Sequence, residues 1–73
     1  MKLSLSENIS KLRKERSMTQ EQLAEKLHIS ISHLAKIEIG RNAPSIDLLL
    51  EMAEFFGVTV DELLAERDIN KEE

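Results

Sequence analysis

Apolar positions along this chain recur at helical spacing in five stretches, and the breaks between them fall at short polar segments. The sharpest patterns lie between Thr19 and Glu38. Thr19 followed three residues later by Gln22 has the form of a capping box, in which the hydroxyl accepts from a free helix N–H and the amide reaches back to the cap. The helix so predicted runs over 20–27, with Leu23, Ala24 and Leu27 on one stripe and Glu21, Gln22, Glu25 and Lys26 around the remainder. Ser30 caps a second short helix over 31–38, whose Leu34 and Ile37 point inward while Ser32, Ala35 and Lys36 occupy the other face. A turn this short forces the two helices to cross steeply, and the small Ala24 suits the place where their backbones meet. The second helix is left protruding.

Three further helices complete the pattern. Ser4 with Glu7 fits another capping box, Ser6 being a second candidate, and predicts a first helix over 5–16 with Leu5, Ile9 and Leu12 facing inward. Arg13 sits at the margin of that stripe, where its charge needs a partner or water. Between 39 and 45 the sequence Ile-Gly-Arg-Asn-Ala-Pro-Ser gathers the breakers: Gly40 ends the preceding helix, Pro44 prevents its continuation and Ser45 caps the next. That next helix, 46–56, is closed by Gly57. Its Asp47, Glu51 and Glu54 fall within an arc of about 60°, leaving about 220° apolar. Ile46, Leu49, Leu50, Ala53 and Phe56 suit the core, while Leu48, Met52 and Phe55 form a second stripe that either the last helix or a second subunit must cover. Thr59 with Glu62 predicts that last helix over 60–66, offering Val60, Leu63 and Leu64. A domain over 1–67 and a fraying polar tail over 68–73 follow.

The joint spacing of Thr19-Gln20, Leu23-Ala24, Leu27, Ile29-Ser30, Leu34, Ile37-Glu38, Gly40, Pro44-Ser45, Gly57-Val58 and Leu63-Leu64 resembles the phage-repressor-like family, the Cro and xenobiotic-response-element type of bacterial regulator. The resemblance spans about residues 5–65 and implies an all-α, five-helix, lambda-repressor-like domain with its helix-turn-helix in the second and third helices. It implies that Arg13 pairs with Glu38, that Gln20 binds a phosphate, and that Arg41 and Asn42 touch the phosphate backbone from the loop. Ser17 and His28 depart from the pattern, since glycine is usual at both places.

The major groove admits one α-helix, and the protruding 31–38 helix fits it. Ile31 would meet a thymine methyl, Ser32 would donate or accept, Lys36 would donate to guanine, and His33 would lie at the flank. Lys11, Lys14 and Arg16 would add weaker phosphate contacts. The expected activity is sequence-specific binding of double-stranded DNA by a homodimer at an inverted repeat, and transcriptional control, repression first. The competing account is a protein-interaction module, antitoxin-like or a regulatory partner, that uses the apolar surface of Leu48, Met52 and Phe55.

A formal charge of −4 on 73 residues argues against a nucleic-acid binder until its distribution is considered. Residues 1–41 carry eight Lys and Arg against five Asp and Glu, a net +3, and residues 42–73 carry two against nine, a net −7. A chain so polarised can turn its basic half to DNA while the acidic half suppresses indiscriminate phosphate binding. With no cysteine, only two histidines and no long apolar run, the expectation is an intracellular, cytoplasmic, nucleoid-associated protein without metal, cofactor or membrane span. RNA binding is disfavoured because the only aromatics, Phe55 and Phe56, are adjacent on one helix and build no stacking platform. Catalysis is disfavoured as well, for no nucleophile stands in recognisable spacing with a His and an acid.

Overall fold

A computed structural model describes residues 2–3 and 5–68. Five helices run in order as α1 (Leu5–Glu15), α2 (Gln20–Leu27), α3 (Ile31–Glu38), α4 (Ile46–Phe56) and α5 (Val60–Leu64). The two-residue strands β1 (Lys2–Leu3) and β2 (Arg67–Asp68) pair antiparallel and bring the two ends of the described chain together. The polar tail expected to fray over 68–73 begins at Asp68, which the ladder pairs with Lys2; 69–73 lie outside the described residues, as does Ser4.

The helix starts form as their side chains dictate. Thr19 and Thr59 make complete capping boxes with Gln22 and Glu62, and Ser30 and Ser45 each accept from the backbone N–H three residues on. Four helix ends share one device. Ser17, His28, Gly40 and Gly57 all take positive φ. The N–H of the residue after each then bonds back across the last turn: Met18 to Arg13, Ile29 to Ala24, Arg41 to Lys36 and Val58 to Ala53. At His28 (φ 60°) and Ser17 (φ 56°) a side chain occupies a conformation that glycine enters without strain, at a cost of about 1 kcal/mol each.

One core joins all five helices: Ile9 from α1, Leu23, Ala24 and Leu27 from α2, Leu34 and Ile37 from α3, Leu48, Met52, Ala53 and Phe56 from α4, and Leu63 from α5. The α4 assignment corrects the sequence reading. Leu48 and Met52, expected to be covered by the last helix or by a second subunit, are buried inside the protomer, whereas Ile46 and Leu50, expected in the core, are 76% and 53% exposed. The apolar arc is simply wider than the core can use. Its centre, opposite the acidic arc of Asp47, Glu51 and Glu54, is what packs inward. Ile46 and Leu50 are left on one flank and Phe55 on the other.

The last helix is shorter than its pattern. It ends at Leu64 because Ala65 is already extended (φ −65°, ψ 135°), and the carbonyls of Leu63 and Ala65 are both taken by Asn8, whose Nδ2 donates to each at 2.8 Å. Asn8 is buried on the inner stripe of α1. Its two amide hydrogens match two carbonyls that the end of α5 leaves open. The sequence reading passed over this residue, although a polar side chain between Leu5 and Leu12 on an apolar stripe was the available signal.

Candidate nucleic-acid interface

The protruding helix α3 keeps only Leu34 and Ile37 buried. Ile31, Ser32 and Lys36 are exposed and His33 is half-buried, so the face expected to meet bases is uncovered by the rest of the fold. Its first turn is fixed by Ser30, whose Oγ accepts from the His33 N–H at 3.0 Å. Its last turn is fixed by the loop that follows: the N–H groups of Arg41 and Asn42 both donate to the Lys36 carbonyl, at 2.9 and 3.3 Å. Gly40, at φ +83°, allows this reversal, and Arg41 and Asn42 project beside α3 into solvent. A cation and an amide are thereby held next to Lys36 with no acidic side chain in the first turn of α3.

Beneath the helix lies a charged cluster. Glu38 accepts from Arg13 through both carboxylate oxygens, Nε to Oε2 at 2.8 Å and Nη2 to Oε1 at 3.1 Å. The side chains are 10% and 4% exposed. Arg13 also donates from Nη1 to the Met18 carbonyl at 2.7 Å, which ties α3 to α1 and to the turn before α2. Such a fork is strongly directional, but desolvation of both charges offsets much of its Coulomb attraction. Gln20 joins the same group: its Nε2 donates to Glu38 Oε1 at 3.0 Å. That contact was not foreseen from sequence, because only folding brings residues 20 and 38 together.

The accessory basic residues divide. Lys14 is exposed and Lys11 half-exposed on α1. Arg16, expected to add a weak phosphate contact, is engaged elsewhere: it donates from Nη2 to the Phe56 carbonyl at 2.6 Å and lies 5.0 Å from the centroid of the Phe56 ring. A guanidinium there satisfies a carbonyl that the end of α4 leaves open and meets the negative end of the helix. Asp47, Glu51, Glu54, Asp61 and Glu62 of α4 and α5 are exposed. Among the described residues, no group of three or more His, Cys, Asp or Glu is placed to hold a metal ion, and no helix is long and apolar enough to cross a membrane.

Two short helices joined by a capped turn, the second presenting an uncovered polar face flanked by a basic loop, define the helix-turn-helix class. Residues 9–63 match the helix-turn-helix family model HTH_3, and the chain belongs to that family. It is 41% identical over 71 residues to the immunity repressor protein of Bacillus phage phi105, covering 97% of this chain and 49% of that protein. It is 37% identical over 67 residues to the transcriptional activator BcrR of Enterococcus faecalis, covering 92% of this chain and 33% of that one. The chain thus spans a third to a half of the length of these curated relatives. Among solved structures, the fold matches SinR, a master regulator for biofilm formation seen in complex with DNA, with a TM-score of 0.73 at 32% identity over 81% of this chain and 95% of that one. The family and these relatives are DNA-binding regulators and not enzymes.

Proposed function

We propose that this chain is a sequence-specific double-stranded DNA-binding domain of a transcriptional regulator, acting as a repressor by occupying its operator. The observation that carries the reading is the uncovered face of α3, with Ile31, Ser32 and Lys36 exposed beside the tethered Arg41-Asn42 loop. Ile31 suits a thymine methyl, Ser32 a donor or acceptor edge, Lys36 guanine O6 or N7, and His33 the flank. Arg41, Asn42 and Gln20 contact phosphates and set the register.

The same reading has the protein bind as a homodimer, with recognition helices in successive major grooves about 34 Å apart and an inverted-repeat site. Leu48 and Met52 are used up inside the protomer, so the dimer candidates become Ile46 and Leu50, one turn apart on α4 and exposed, with Phe55 at the opposite flank. The same burial leaves only Phe55 of the surface on which the protein-interaction alternative relied.

The test is selection of bound duplexes from a random library, followed by titration of the winner at several salt concentrations. An enriched inverted repeat with a steep negative salt slope is expected. Lys36→Ala should change preference at the base pair it contacts by ~1–3 kcal/mol, while Arg41→Ala should weaken all sequences alike. No enrichment at low salt would refute the assignment of α3.

A further inference from the structure

We propose that Glu38 is a positioning residue for the phosphate contact of Gln20, and that Arg13 makes it tolerable for a carboxylate to stand there. The inference rests on the DNA-binding reading above and deepens it. A glutamine side chain offers an N–H2 at one end and a carbonyl at the other, and rotation of the amide exchanges them. Only the N–H2 end can bind a phosphate oxygen. Gln20 is half-buried at the start of α2, and the atom facing its amide is Glu38 Oε1, 3.0 Å from Nε2. A carboxylate accepts and never donates, so it selects the orientation that presents the N–H2 end. One hydrogen goes to Glu38. The second remains for an anion.

An unpaired carboxylate in this position would repel the DNA backbone. Here it is covered by a guanidinium that meets both of its oxygens, at 2.8 and 3.1 Å, and only 4% of the Glu38 side chain is exposed. The Arg13 fork also fixes where Oε1 lies, because Nη2 and Gln20 Nε2 share that oxygen. The arrangement thus links three elements: α1 supplies the counter-charge, α3 the acceptor and α2 the oriented donor. A buried ion pair that contributes little net stability would then serve to set a hydrogen-bond donor at the DNA surface.

The experiment replaces each phosphate of the selected operator in turn by an uncharged methylphosphonate and measures affinity. One phosphate per half-site should cost the wild-type protein about tenfold, and Gln20→Ala should abolish that sensitivity while keeping base preference. Glu38→Gln strands Arg13, so the double variant Arg13→Met/Glu38→Met is tested beside it, since apolar replacement of a buried pair preserves folding in comparable cases. Its expected behaviour is a retained thermal melt, retained base preference and lost sensitivity at the Gln20 phosphate alone. Full tenfold sensitivity in that folded double variant would overturn the positioning role. A second measurement needs no variant: in the free wild-type protein, the Gln20 side-chain amide should exchange with solvent more slowly than that of Gln22, and equal exchange would overturn the proposal. Failure of the wild-type protein to select any duplex would instead refute the DNA-binding reading. Operator binding with a phosphate map that Gln20→Ala leaves unchanged would overturn this inference alone.

Discussion

Helix α1 is tied to the rest of the molecule by a polar clasp near each end, and the two clasps are made of different chemistry. Near its start, neutral Asn8 gives both amide hydrogens to the carbonyls of Leu63 and Ala65. Near its end, Arg13 grips the carboxylate of Glu38 and the carbonyl of Met18. The neutral clasp closes the side of the molecule that carries α5, where backbone carbonyls need donors and nothing more. The charged clasp sits under α3, and its carboxylate has an oxygen to share with Gln20. A neutral amide is sufficient to end a helix. If Gln20 meets a phosphate as proposed, orienting its donor calls for a buried acceptor that cannot reverse its role, and that acceptor needs a counter-charge.

The comparison can be broken first at its charged side. Glu38→Ala leaves Arg13 buried without its counter-ion and should destabilise the fold by ~3–5 kcal/mol in urea unfolding; a loss below 1 kcal/mol would mean the pair is effectively solvated. At the neutral side, Asn8→Ala strands two carbonyls without exposing a charge, so about 2 kcal/mol is expected from the same measurement, with base preference unchanged in duplex selection. If Asn8→Ala were the costlier of the two, charge would not be what distinguishes the clasps. A smaller effect of opposite sign should arise at a site remote from both. His28→Gly relieves the positive φ of the α2 to α3 turn and should raise stability by ~0.5–1 kcal/mol, read from the thermal midpoint.

Much of this architecture was legible because it is decided within a few residues. The α2, α3 and α4 ranges follow from Thr19, Ser30 and Ser45 at one end and from His28, Gly40 and Gly57 at the other. Caps and left-handed termini act through hydrogen bonds of short sequence separation, so the pattern that specifies them is local. The exposed residues of the candidate interface were legible for a related reason: α3 has only two buried positions, and what remains on so short a helix must face out.

Where the sequence alone stopped, the deciding contacts join residues far apart in the chain. Helix α4 has more apolar surface than one core can cover, so its own pattern is satisfied by several rotations about its axis; packing against the other helices selects the one that buries Leu48 and Met52 and exposes Ile46 and Leu50. Helix α5 stops early because Asn8, 57 residues from Ala65, takes a carbonyl that another turn would have used. Gln20 meets Glu38 only after α2 and α3 have packed together. The sequence by itself determined where α2, α3 and α4 begin and end and which short helix is left uncovered. The tertiary structure decided which flank of α4 faces solvent and which polar side chains share a partner, because burial and long-range hydrogen bonds are properties of the assembled core.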